Sequence, residues 1–342
     1  MDAGALYHVT FFTPRATALR APQGSSEIRV PNREPNDPSI HTSHHLLERV
    51  GEVLGEALAR TLAPGLYLVA TPIGNLGDVS LRALSVLARA NIIAAEDTRH
   101  SRKLLSHFGV TGELTPYHEH NAARERPRLL ARIRAGSAVA LISDAGTPLI
   151  SDPGYKLVRE ALDAGFLVSA IPGPSAALAA LTSSGLPTDT FLFAGFLPPK
   201  SGPRRTRIEE LKSAPATLVF FEASSRVAKS LADMASALGP REAVVAKELT
   251  KLHEGLTRGL LNELAAHFAE LDELKGEFVI VVAPPSAEDV SATDDVIVAS
   301  LTAALQKESF RDAVRSVAEN LNVKRSRVYE LGLALERGDD AP

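Results

Sequence analysis

Five short segments concentrate glycine, proline, acid and hydroxyl residues in a pattern that could support chemistry. In chain order they are Thr71-Pro72-Ile73-Gly74-Asn75-Leu76-Gly77-Asp78, Glu96-Asp97-Thr98-Arg99-His100 and His118-Glu119-His120-Asn121, then Asp144-Ala145-Gly146-Thr147-Pro148 running on to Ser151-Asp152-Pro153-Gly154, and finally Pro172-Gly173-Pro174-Ser175-Ala176. Each alone has a plain structural reading, because these residue types serve φ > 0 positions and N-caps in any strand-to-helix turn. Asp152 before Pro153 thus reads as an N-cap followed by a first-turn proline. Glu96, Asp97 and Asp144 are the carboxylates best placed to accept a proton or orient a substrate, with His118 and Lys247 behind them. Glu96 and Asp97 each keep a catalytic and a structural reading. The chain has no cysteine, so any nucleophile is oxygen or nitrogen, and a zinc-thiolate site is excluded.

The first turn lacks the Gly-x-Gly-x-x-Gly fingerprint, and no Gly-x-x-x-x-Gly-Lys-[Ser/Thr] occurs. Neither a dinucleotide pyrophosphate nor a nucleoside triphosphate is indicated. Backbone amides and carbonyls on Gly/Pro turns suit an adenine edge, a ribose and an amino-acid end, which are the parts of S-adenosylmethionine. His118, His120 and Asn121 bring no third metal ligand with them, so no metal is expected.

The elements that must position these turns repeat five times from Gly65. Apolar runs at Leu66 to Ala70, Ile92 to Ala95, a weak one near Leu114 to Tyr117, Ala138 to Ser143 and Leu167 to Ile171 alternate with amphipathic helices. The helices stop near Ala90 and at Gly109, Gly136, Gly165 and Gly185. Pro127 is expected to mark the first turn of the helix between Asn121 and Ala135. Alternation of this kind predicts an α/β fold with a parallel sheet whose five turns converge on one edge.

The domains expected are an N-terminal extension at 1–63, an α/β domain with a five-stranded parallel sheet at 64–187, a second α/β domain with a mixed sheet at 188–285, and a small helical domain at 294–338. Residues 1 to about 40 read as disordered, and a helical pattern from Leu46 to Leu62 follows. The second α/β domain draws on strands at Thr190 to Gly195, Thr217 to Phe221, Ala243 to Lys247 and Glu277 to Val282. No apolar stretch approaches membrane-spanning length and no signal-peptide core is present, so a cytoplasmic protein is expected.

The formal net charge of −4 gives no reason by itself to expect a nucleic-acid partner. Three local basic patches could contact phosphates, although each also reads as a solvated helix face: Arg99 to Lys103; Lys200, Arg204, Arg205 and Arg207 beside a Ser201-Gly202-Pro203 loop; and Lys324, Arg325 and Arg327. Phe310 to Tyr329 has the rhythm of helix, tight turn near Asn322 and basic second helix, which is helix-turn-helix-like, and a small helical packing domain with no nucleic-acid role is an equal reading.

The segments Leu68 to Leu76, Ala94 to Arg99, Ser143 to Pro148 and Pro172 to Ala176 resemble, in order, the tetrapyrrole methylase (class III methyltransferase) superfamily, and more closely its branch acting on small-subunit ribosomal RNA. The likeness runs from about Gly65 to Pro284 and leaves the first 63 residues without a counterpart. It implies two α/β domains with S-adenosylmethionine in the cleft between them, usually in a homodimer. It also implies 2′-O-methylation of a decoding-centre cytidine in 16S ribosomal RNA of the small ribosomal subunit. On that likeness the cofactor turns are Thr71, Pro72, Ile73, Gly74 and Asn75, then Asp144, Ala145, Gly146, Thr147 and Pro148, then Pro172, Gly173, Ser175 and Ala176, with Glu96 and Asp97 as the acidic second turn. Competing readings are a small-molecule (tetrapyrrole-type) methyltransferase, a non-catalytic ribosome assembly factor and, from Gly173-Pro174-Ser175-Ala176-Ala177, a serine-hydrolase elbow that lacks its final glycine.

Overall fold

The computed structural model describes residues 8–11, 38–271, 273–286, 294–321 and 323–337. The chain enters through a short strand β1 (His8–Phe11) and a helix α1 (Pro38–Leu58). β1 lies wholly and the start of α1 partly inside the stretch expected to be disordered, so that expectation is corrected at these residues. The rest of the stretch lies outside the described residues.

The first sheet contains β2 (Gly65–Val69), β3 (Ile92–Ala95), β4 (Glu113–Pro116), β5 (Ala138–Ile142) and β6 (Leu167–Ile171), all parallel, in the order β4-β3-β5-β2-β6. Every residue of β3 and β5 is buried, as sequence runs with no polar alternation require of strands covered on both faces. The weak apolar signal at β4 has its reason here, since β4 is an edge strand with exposed ends. Helices α2 (Leu81–Arg89), α3 (Thr98–His107), α4 (Ala122–Arg134), α5 (Tyr155–Asp163) and α6 (Ala176–Ser184) alternate with these strands. Gly109, Gly136, Gly165 and Gly185 stand just past four of the helices with positive φ. Pro127 is inside α4 rather than in its first turn. Ala122 opens the helix five residues earlier than expected, after the Asn121 side chain has accepted from the His118 amide and donated to the Pro116 carbonyl.

Beyond Thr188 a six-stranded mixed sheet forms as β1 is joined by β7 (Phe191–Phe196), β8 (Thr217–Ala223), β9 (Glu242–Lys247), β10 (Gly255–Leu260) and β11 (Glu277–Val282), in the order β1-β10-β9-β11-β8-β7. β10 was not legible in the sequence, because Gly255-Leu256-Thr257-Arg258-Gly259-Leu260 carries two glycines and an arginine. Residues alternate between the two faces of this sheet. Leu218, Phe220, Val245 and Ile280 face a core shared with α7 (Ser201–Leu211), α8 (Val227–Leu238) and α9 (Leu261–Ala269). Val219, Val244, Ala246, Val279 and Val281 face Ala177, Ala180 and Leu181 of α6 together with Ile73. The second core therefore joins the two sheets through Ala177, Ala180 and Leu181 of α6, while Leu178 and Thr182 on the other face of that helix are exposed. Each fully buried Leu, Ile, Val or Phe contributes about 1.5–3 kcal/mol.

Three helices close the chain: α10 (Asp294–Leu305), α11 (Phe310–Asn320) and α12 (Arg325–Arg337), packed through Ile297, Leu301, Val314, Val317, Val328 and Leu331. The turn expected at Asn322 falls on a residue outside the described set. Among the described residues no helix is long and apolar enough to cross a membrane.

Candidate functional site

β3 and β5 are neighbours, and the connection after β3 leads outward to β4 whereas that after β5 leads across β2 to β6, on the opposite side. A crevice opens where such connections part, at the carboxyl ends of the strands. Here it is floored by a two-residue bridge: Thr71 N–H donates to the Gly146 carbonyl at 2.9 Å, and Gly146 N–H returns to the Thr71 carbonyl at 3.0 Å. The Thr71 hydroxyl donates to the Ser143 carbonyl, and the Thr147 hydroxyl donates to that of Pro174. The first, fourth and fifth turns are thus tied into one surface.

Above this floor, between the sheets, is a cavity of about 510 Å³. Ile73, Asp144, Ala145, Gly146, Thr147, Ser175 and Ala176 line it from the first sheet's turns, with Glu96 and Asp152. Phe196, Phe221, Ala246, Leu249 and Val279 line it from the second. Thr71, Pro72, Gly74, Asn75, Pro148, Pro172 and Gly173 do not line it. Thr71 is buried beneath it, and Gly173 closes against Ala70, where an added Cβ would fall 2.8 Å from the Ala70 Cβ. Ser175 caps α6 by accepting from the Leu178 amide at 3.4 Å.

Three carboxylates share one side of the cavity. Burial pushes the Glu96 carboxyl up, and the charges of Asp152 and Asp144 push it further. Burial also raises Asp152; a hydrogen bond from the Ser143 hydroxyl opposes the shift and the Asp144 charge adds to it. Asp152 is not the N-cap its sequence suggests, because α5 begins at Tyr155 with Gly154 before it. The loop instead turns Asp152 inward through Leu149 and Ser151, both held at positive φ, 72° and 66°. Left-handed conformations in non-glycine residues cost about 1–3 kcal/mol each and cluster at functional sites. The sequence held this residue in plain view, but its capping pattern hid it. A fourth acid, Glu222, is paired with Arg226 at 2.7 Å and accepts from the Ser230 hydroxyl at 2.6 Å. The second sheet's wall brings aromatic and aliphatic side chains beside Glu222 and Glu277, with Phe196 and Phe221 edge to face at 5.6 Å. Acids together with an aromatic pair suit a cationic ligand that carries a flat ring.

Glu96 and Asp97 part company in the structure. Asp97 leaves the cavity to cap α3, accepting from the Arg99 amide at 2.8 Å and pairing with the Arg99 guanidinium at 2.9 Å. These contacts hold its carboxyl down to about 2.

The basic candidates separate as well. Ser201-Gly202-Pro203 is the first turn of α7, not a loop. Arg204 is buried against Asp233, Arg205 reaches the same carboxylate, and Arg207 pairs with Glu210. Lys200 is exposed at the start of α7, as are Lys324 and Arg325 before and at the start of α12, while Arg327 is tied to Asp294 at 2.7 Å. Arg99 is exposed on α3 beside Arg102 and Lys103, for which no ion pair forms among the described residues.

The profile of the Tetrapyrrole (Corrin/Porphyrin) Methylases matches residues 65–265. A protein of Mesorhizobium japonicum named Ribosomal RNA small subunit methyltransferase I is 57% identical over 250 residues, covering 72% of this chain and 85% of that protein. The protein of the same name from Micromonospora olivasterospora is 44% identical over 278 residues, 80% of this chain and 88% of its own. Among solved structures, a conserved hypothetical protein of Aeropyrum pernix superposes with a TM-score of 0.52 at 18% identity, over 81% of this chain and 98% of that one. These likenesses agree with the fold described above: the chain belongs to the tetrapyrrole methylase superfamily and, within it, to the ribosomal RNA small subunit methyltransferase I family.

Proposed function

We propose that this methyltransferase takes its methyl group from S-adenosylmethionine and places it on the ribose 2′-oxygen of a decoding-centre cytidine in 16S ribosomal RNA. The observation that carries the cofactor assignment is the cavity itself, in which Glu96, Asp144 and Asp152 stand with Phe196 and Phe221 at the parting of β3 and β5. The residues present fit a sulfonium carrying an adenine and an amino-acid end. Asp144 and Asp152 suit its positive groups, the Gly146 and Ala176 backbone suits the amino-acid and ribose polar atoms, and Phe196, Phe221 and Leu249 suit the adenine. When bound, the cofactor supplies an electrophilic methyl for in-line displacement. The chain then has to align the hydroxyl and remove its proton.

Glu96 is the group assigned to accept that proton. It lines the cavity, and burial with the neighbouring Asp152 and Asp144 charges raises its carboxyl, which makes it a stronger base than an ordinary glutamate. Asp97 shapes the start of α3 and is not given a chemical step. Phosphate contacts are assigned to exposed cations, namely Arg99 with its neighbours on α3, Lys200, and Lys324 with Arg325 on the terminal helices. The acceptor follows from family membership and from these cations, with a cytoplasmic site of action and a homodimer as further parts of the proposal. Sedimentation of the purified protein tests the dimer.

The deciding experiment incubates the protein with labelled S-adenosylmethionine and either small ribosomal subunits or uroporphyrinogen, then digests the RNA to nucleosides. Label in 2′-O-methylcytidine is expected. Label in the tetrapyrrole alone would replace this proposal with the small-molecule one, and label in neither would end both.

A further inference from the structure

Gly74 and Asn75 do not face the cavity, yet something presses on them closely. A Cβ on Gly74 would sit 2.4 Å from Lys251 Cγ, 3.0 Å from Thr250 Oγ1 and 3.2 Å from the Leu249 carbonyl oxygen. The Asn75 amide donates to Thr250 Oγ1 at 3.2 Å. All three neighbours belong to the turn after β9, on the second sheet. The first turn of one sheet is therefore docked, backbone to side-chain stem, against a turn of the other.

The docking turn is tightly specified. Glu248 and Thr250 both sit at positive φ, 51° and 64°, an expensive conformation for residues with side chains. The Thr250 amide is held by Glu254 Oε2 at 2.8 Å. Lys251 Nζ donates to Glu248 Oε1 at 2.9 Å and to Glu277 Oε2 at 3.0 Å, and the Glu277 amide donates to the same Glu248 oxygen at 2.9 Å. Gly276 leaves room for that carboxylate, since its Cβ would come within 2.6 Å of it. Leu249, between the two strained residues, is buried in the core shared by the sheets and also lines the cavity, as do Gly276 and Glu277.

We infer that the turn Glu248–Lys251 is a clasp that holds the two sheets at the spacing the cofactor cleft requires, and that Lys251 is a positioning residue for cofactor binding. Gly74 lacks a side chain so that the Lys251 stem can cross it, not so that a ligand can approach. The Lys251 ammonium then fixes the start of β11 against the turn, and with it one wall of the cavity. This role rests on the methyltransferase assignment, but the clasp geometry does not.

Lys251→Met keeps the stem over Gly74 and removes the ammonium; Glu277→Gln weakens the same link at an exposed position. The chain has no cysteine, so Ala164→Cys and Lys229→Cys, exposed on opposite sides of the cleft, accept a pair of spin labels in the full-length protein. The parent should give one narrow distance distribution, and both clasp variants a broadened one. If the competent spacing falls to about a tenth of the population, S-adenosylhomocysteine affinity by calorimetry drops about tenfold, while kcat at saturating cofactor stays within about twofold. Unchanged distributions in both variants overturn the clasp whatever the affinities. Broadened distributions with unchanged affinity overturn Lys251 as a positioning residue. A parent with a narrow distribution that binds no S-adenosylhomocysteine overturns the cofactor assignment and the positioning role with it, and leaves the clasp to be judged on the distances.

Discussion

Arg204 and Asp233 form a buried ion pair beneath α7, with guanidinium Nε and Nη2 at 2.7 and 2.6 Å from the same carboxylate oxygen. Arg205 holds the other oxygen at 2.7 Å from a largely exposed position. Burial pushes the Asp233 carboxyl up, but the two arginines outweigh it and hold the group below the usual aspartate range. The pair's stabilisation is therefore present above that range and is lost as pH falls through the depressed value. Asp233→Ala strands a buried guanidinium and should cost about 3–5 kcal/mol in urea unfolding. Arg205→Ala should cost less than about 1 kcal/mol. If Arg204→Met instead leaves unfolding unchanged and weakens subunit binding, Arg204 belongs to the RNA surface after all.

Glu96→Gln should lower single-turnover methyl transfer by about 10²–10⁴-fold with cofactor affinity little changed, the range typical of a lost general base. Asp97→Asn should leave turnover within a few-fold, since Asp97 caps α3 outside the cavity. Equal losses in the two variants would mean that the acid of the second turn acts through the helix start and not through a proton.

Because the Glu96 carboxyl is raised, its basic form is lost on acidification at a higher pH than for an ordinary glutamate. The rate should rise with pH through that raised value and then level. The Asp152 charge is one cause of the shift, so Asp152→Asn should move the acid limb to lower pH while also weakening cofactor binding. A pH–rate profile that does not move in Asp152→Asn would remove the electrostatic link between the two carboxylates.

The alternation of buried strands with glycine-ended helices was readable from Gly65 to Gly185, because central parallel strands admit little but apolar residues. The same rule explains what was not readable. β10 is an edge-proximal strand of the mixed sheet, and its two glycines and Arg258 read as turn. Within the site, turn composition identified the edge but not the direction of each side chain. Asp152 looked like a cap and lines the cavity, whereas Asp97, for which both readings were open, caps α3. Arg204 looked like a cation for phosphate, but its partner Asp233 is 29 positions away, at a distance no local pattern reports.

Lys324 and Arg325 stand exposed at the start of α12, whereas Arg327, two residues on, is spent on Asp294. The three are close in sequence and should differ in effect. Reversing Lys324 and Arg325 to Glu should weaken small-subunit binding and flatten its dependence on salt, by a slope of about 0.7–0.9 for each phosphate no longer neutralised. Arg327→Ala should act mainly on the packing of α10 against α12, lowering the stability of the terminal helices with no change in salt slope. Binding measured across a salt series separates the two, since only a cation that displaces counterions from the RNA contributes to the slope. An unchanged slope in the double variant would remove α12 from the RNA surface and leave Arg99 and Lys200 as the cations to test.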